Sequence, residues 1–155
     1  MSINPDEWAI HALLNRYTDA VNQRDWKTYR ACWTDDAVWE LHAPINILKT
    51  GIDDILAEAR RAVESQSLFV QMNHAVTILD LNPSTAKVRV TLNEIGKADP
   101  NSEGALPGVG GMFILAYYTD DLTKQDSVWK FKQRVYDVVY MDTTTPSGSV
   151  FPLRK

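Results

Sequence analysis

Apolar residues recur three and four positions apart early in the chain, at Ile10, Leu13, Leu14, Tyr17 and Val21. That spacing lays one apolar stripe along a helix. Asn4 can cap this helix, Pro5 suits its first position, and Glu7 completes a capping-box-like spacing. Asp25 can cap a second, shorter helix carrying Trp26, Tyr29 and Trp33. A Thr34-Asp35-Asp36 turn then leads into a strand over 37–41. Gly51 opens a third helix, with Ile52, Ile55, Leu56, Ala59 and Val63 on one side.

Beyond this point the chain reads as β-structure. Val70 to Asp80 is a candidate strand, ended by an Asn82-Pro83-Ser84 turn, because Pro83 has no N–H for a ladder. Ala86 to Gly96 alternates Val88, Val90 and Leu92 with Lys87, Arg89, Thr91 and Asn93. Lys97 to Pro107 is polar and carries Gly and Pro, as a loop does. Gly111 to Leu122 and Val128 to Met141 are long strands joined by a turn at 123–126. Helices followed by a run of strands is the order of an α+β fold, here a curved mixed or antiparallel sheet wrapped around N-terminal helices. The space between the two layers is a cone-shaped pocket. One domain spans 1–142. The tail, 143–155, is flexible in composition but ends in Val150-Phe151-Pro152-Leu153, which could dock.

The chain has 155 residues and a net charge of −4, so there is no basic excess for a nucleic-acid backbone. Cys32 is the only cysteine, which excludes an internal disulfide. The longest apolar run, Gly110 to Tyr118, is about half a membrane span, and no signal-peptide pattern opens the chain. A cytoplasmic location away from membranes is the default expectation. Five Trp, six Tyr and four Phe suit an apolar pocket. No metal is expected, because neither His-Glu-x-x-His nor a two-His-one-carboxylate spacing occurs, and no cofactor is expected either. Gly108-Val109-Gly110-Gly111 precedes a strand rather than a helix, so it lacks the geometry of a phosphate loop.

Leu14-Asn15-Arg16-Tyr17, Asn22-Gln23-Arg24-Asp25-Trp26, the segment Cys32 to Trp39, Gly51 to Ile55, Gln71-Met72-Asn73-His74 and Trp129 to Arg134 occur in that order. This pattern resembles the SnoaL-like and scytalone-dehydratase-like branch of the nuclear-transport-factor-2-like superfamily, over about Trp8 to Asp142. The resemblance implies a cystatin-like α+β barrel. It also implies cofactor-independent lyase, isomerase or cyclase chemistry on a small hydrophobic, ring-containing molecule. Relatives include dehydratases, a dehydrochlorinase, polyketide cyclases and the non-catalytic β subunits of ring-hydroxylating oxygenases, so an oligomeric accessory module is the alternative. In the lyases a helix-one carboxylate pairs with a strand histidine. The histidine position falls on His74, and the carboxylate position on Asn22, which cannot take a proton.

The candidate catalytic set is therefore His74, Tyr17, Asn22 and Glu94. His74 is a base titrating near neutral pH, expected on the pocket wall within reach of Tyr17, Asn22 or Glu94. Glu94 is the replacement carboxylate at a strand end, and Tyr17 or Asn22 holds a developing enolate oxygen. Arg134 is a candidate for binding a carboxylate or phenolate, with Asp137 on the opposite strand face. Trp39 and Phe113 are the aromatic candidates for substrate contact. Asp19 reads as solvated, and His11 and His42 as surface or rim residues. Long strands with two apolar faces predict self-association, as a dimer or trimer.

Overall fold

A computed structural model describes residues 4–104 and 108–152. The elements in order are α1 (Pro5–Gln23), α2 (Trp26–Ala31), β1 (Trp33–Leu41), β2 (Ile47–Thr50), α3 (Ile52–Glu64), β3 (Gln66–Leu81), β4 (Thr85–Ala98), β5 (Gly111–Gln125) and β6 (Val128–Asp142). Both predicted helix caps form. The Asn4 side chain accepts from the Asp6 amide at 3.0 Å, and Asp25 accepts from the Thr28 amide at 3.0 Å. α2 stops at Ala31, so Trp33 opens β1 instead of riding on the helix. The sequence pattern missed β2, which is only four residues long and too short to show alternation. The β5–β6 turn falls at Asp126 and Ser127, with φ of 48° and 63°, later than the sequence suggested. β4 runs on to Ala98 into the expected loop, whose Ala105 to Pro107 lie outside the described residues.

The strands form one six-stranded sheet in the order β2-β1-β6-β5-β4-β3, so the fold is α+β with a mixed sheet. β1 runs parallel to β6, and every other pairing is antiparallel. Register shifts at Asn73/Val76, Ile78/Asp80, Leu115/Ala116 and Asp121/Leu122 break the long strands. Such bulges add twist and bend a sheet, and here it curls over α1 and α3. Strand parity then separates two faces: Ile114, Ala116 and Tyr118 are buried on the concave side, whereas Phe113, Leu115 and Tyr117 are exposed on the convex side. The tail packs against the start of β5. Gly111 makes room for it, since a Cβ there would lie 2.3 Å from Pro146 Cδ and 2.8 Å from the Thr144 carbonyl oxygen. No helix among the described residues is long and apolar enough to cross a membrane.

An ion pair lies inside the core. Arg134 of β6 donates from Nε and Nη2 to the two carboxylate oxygens of Asp120 on β5, each at 2.7 Å. Both side chains are fully buried. The guanidinium carbon sits 3.7 Å from the Tyr118 ring centre, 4.1 Å from Phe131 and 4.2 Å from Tyr17. The pair thus joins two strands to α1 through aromatic faces. Removing one partner would strand a buried charge, which typically costs about 3–5 kcal/mol, whereas replacing both with apolar groups is often close to neutral. Urea denaturation of Arg134→Leu is therefore expected to show a loss of that order, with Asp120→Leu/Arg134→Leu recovering most of it. Equal losses in the single and double variants would contradict this account.

Candidate active site

Between the concave face and the helices lies a cavity of about 500 Å³. Tyr17 and Val21 from α1 and Tyr29 from α2 form one wall, and Trp39 and Leu41 of β1 another. Ala59 and Val63 of α3 face Phe69 of β3 and Ile114 and Met112 of β5 across the space. A mostly apolar cavity of this size falls in the range of small-molecule sites.

Its polar centre is assembled from four neighbouring strands. Gln71 of β3 and Glu94 of β4 are register partners, so their side chains lie side by side on the concave face. Tyr118 of β5 and Tyr136 of β6 are likewise directly opposite each other. Gln71 Nε2 donates to Glu94 Oε1 at 2.6 Å and to the Tyr118 hydroxyl at 2.9 Å. The Tyr136 hydroxyl donates to Glu94 Oε2 at 2.8 Å. Glu94 is buried, and among the described residues no cation lies within ion-pair distance of it. Burial pushes its carboxyl above the usual carboxylate range, while Gln71, Tyr136 and the Arg134 charge pull it partly back. A carboxyl so placed is a weaker acid, and once ionised a stronger base, than a free glutamate.

Of the residues singled out in the sequence, Tyr17, Trp39 and Glu94 lie on the cavity. Asn22 stands behind it. Its side chain donates to the Gln71 carbonyl at 2.9 Å and accepts from the Gln71 amide at 2.8 Å. His74 is elsewhere. Strand parity carries Phe69 and Gln71 inward and turns Asn73 toward Thr18 of α1, so the next residue points outward. The exposed His74 ring bonds Asn93 on the convex face and meets none of Tyr17, Asn22 and Glu94. Phe113 is corrected by the same parity: it is exposed on the convex face, and Met112 and Ile114 line the cavity instead. Arg134 does not bind ligand from the cavity wall, because Asp120 occupies its fork and Tyr17 and Tyr118 cover it.

Asp19 and His11 are exposed. His42 is exposed near the end of β1, between Asp137 at 2.6 Å and Glu40 at 3.1 Å; the Asp137 hydrogen bond raises its pKa despite partial desolvation. Cys32 is buried, and burial pushes its thiol up to about 11, far from a reactive thiolate. Among the described residues no three His, Cys, Asp or Glu side chains cluster as a metal site. The sequence reading missed Gln71, Tyr118, Tyr136 and Tyr29. The first three carry a usable signal, because each is a polar side chain in step with the buried apolar positions of its own strand.

The family of SnoaL-like domains matches residues 4–135. Among solved structures, the chain resembles a candidate scytalone dehydratase from Novosphingobium aromaticivorans DSM 12444, with 19% identity, 93% of this chain and 94% of that chain covered, and a TM-score of 0.76. It also resembles hexachlorocyclohexane dehydrochlorinase LinA-type3 from Novosphingobium barchaimii LL02, with 20% identity, 96% and 95% covered, and a TM-score of 0.75. A protein with a cystatin-like fold from Nostoc punctiforme PCC 73102 aligns at 16% identity over 94% and 98% of the two chains, with a TM-score of 0.69. At these identities the likeness establishes the fold. No curated protein matches the chain.

The buried carboxyl has a thermodynamic signature. A group whose pKa is raised on folding contributes its full stability below the unfolded value and loses it as pH rises through the folded value. Glu94 therefore destabilises the folded state increasingly above about pH 4.5, where the unfolded chain ionises freely. The melting temperature of Glu94→Gln minus that of the wild type is expected to increase between about pH 4 and pH 8. Thermal unfolding across that range checks it, and a flat difference would contradict it.

Proposed function

The chain belongs to the SnoaL-like domain family, and on that premise we propose that it performs cofactor-independent proton-transfer chemistry, of the lyase or isomerase type, on a small ring compound held in the apolar cavity. The observation that carries this reading is Glu94, a buried carboxyl without a cation partner among the described residues, oriented by Gln71 and Tyr136 at the polar centre of the cavity. As a carboxylate it takes a proton from carbon next to a carbonyl. As the resulting acid it returns that proton to a second carbon, which completes an isomerisation. Alternatively it gives the proton to a departing hydroxyl, so that the C–O bond breaks, the double bond forms and water leaves. Tyr17, on the wall of the cavity, is the candidate for holding the developing enolate oxygen.

Exchange of α-protons for deuterium in cyclic ketones such as 1-indanone, followed by NMR in heavy water, tests this directly. Glu94→Gln is expected to reduce exchange by about 10²–10⁴-fold, the usual worth of a general base, while His74→Ala leaves it intact. Exchange that survives Glu94→Gln and disappears with His74→Ala would reverse the assignment. The alternative of a non-catalytic accessory module is favoured by Asn22 at the family's carboxylate position and by His74 lying off the cavity. Absence of exchange over a broad ketone panel would select it.

Self-association belongs to the same proposal. Phe113, Leu115, Tyr117 and Tyr140 are each 39–50% exposed, and the first three share the convex face. Phe113 and Tyr140 lie 6.3 Å apart between ring centres, which extends the patch onto β6. Sedimentation at micromolar concentration is expected to give a dimer or trimer, and Tyr117→Lys to shift it toward monomer. A monomeric wild type would refute it.

A further inference from the structure

The amide of Gln71 is arranged unlike that of a residue that merely fills space. Its nitrogen serves two acceptors, Glu94 Oε1 at 2.6 Å and the Tyr118 hydroxyl at 2.9 Å, while its oxygen is buried with no partner among the described residues. With Glu94 ionised, turning the amide over would bring oxygen against the carboxylate oxygen at that short distance, so the orphan oxygen is the consequence of serving the carboxylate. An unpaired buried acceptor is costly, and the amide keeps this orientation because Glu94 and the Tyr118 hydroxyl both accept from its nitrogen.

The backbone of the same residue is held with equal care. Gln71 lies on β3, an edge strand of the sheet, so its own outward N–H and C=O have no neighbouring strand. The Asn22 side chain takes that place, accepting from the N–H at 2.8 Å and donating to the C=O at 2.9 Å. Only an amide of this size can do both. An aspartate would lose the donor, and an aliphatic residue would lose both bonds. A continuous path thus runs from the end of α1 through Asn22 and Gln71 to Glu94.

We propose that Gln71 is a positioning residue, clamped by Asn22, whose amide stabilises the carboxylate form of Glu94 and so sets the acid strength of the group in the cavity. Two donors, Gln71 and Tyr136, contact the Glu94 oxygens. The other titratable or charged groups around it are Tyr17 of α1, Tyr118 of β5 and Arg134 of β6, the last already joined to Asp120. On α3, Glu58 and Arg61 reach the cavity but pair with each other at 2.5 Å. Gln71 is therefore the one contact to Glu94 that can be removed without changing any charge or any phenol.

The kinetic consequence rests on the reading of Glu94 as the proton-transfer group, but the structural coupling does not, and the two are separable. The full chain labelled with ¹³C at the glutamate carboxyls is titrated by NMR, and the Glu94 signal is assigned by its loss in Glu94→Gln. Gln71→Met is expected to move the Glu94 midpoint upward by roughly one to two units, the worth of one hydrogen bond to a charged acceptor. Asn22→Ala, which leaves the amide present but unclamped, is expected to move it in the same direction by less, and it serves alone if Gln71→Met does not fold. An unchanged or lowered midpoint in a folded variant overturns the proposal. Shifted titrations with no deuterium exchange in any variant support the relay and count against the proton-transfer reading. Where exchange occurs, the acid limb of its pH profile is expected to follow the NMR midpoint in each variant.

Discussion

Everything around the cavity depends on the burial of one ion pair. Arg134 engages both carboxylate oxygens of Asp120 through Nε and Nη2, and the rest of the flat cation, including an Nη1 without a partner among the described residues, is covered by aromatic faces. Tyr17 and Tyr118 provide two of those faces and line the cavity on their other sides. The pair therefore fixes where α1 sits over β5 and β6, and with it the depth of the cavity. It also supplies a positive charge near Glu94 without placing a cation in the ligand space. Burial alone would lower the basicity of the guanidinium; the Asp120 charge outweighs it and keeps Arg134 protonated.

Around this fixed centre, strand parity decides which side chains face the cavity. A one-residue step along a strand moves a side chain from the cavity to the convex face. On β3 that step separates Gln71, beside Glu94, from Met72, and Asn73, turned toward α1, from His74. The chain shares its scaffold with the SnoaL-like domains, and a shared fold does not carry a shared reaction. In this chain an asparagine and a glutamine stand behind Glu94, the buried carboxyl that, among the described residues, has no cation partner. The asparagine closes an open strand edge rather than holding an imidazole. Gln71 then converts that backbone clamp into an electrostatic effect on Glu94.

The sequence by itself determined the α+β order, both helix caps and the long strands, because these follow from local periodicity and from single side chains bonding nearby amides. Tyr17, Trp39 and Glu94, which line the cavity, each sit in phase with buried positions of their own element. The bulged strands, the parallel β1–β6 pairing and the four-residue β2 were decided only in three dimensions, since each depends on a partner far along the chain. So was the fate of His74, whose polar neighbours in sequence resemble those of a site histidine while its parity, set by Phe69 and by the Asn22 clamp on Gln71, turns it outward. The sequence put Arg134 and Asp137 on opposite strand faces without deciding which points inward, and only the fold brings Asp120, fourteen residues away across a hairpin, to cancel the Arg134 charge. Local propensity fixes which residues share an element, and long-range pairing fixes which of them share a cavity, because a side chain's direction is settled by the strand beside it and the helix above it.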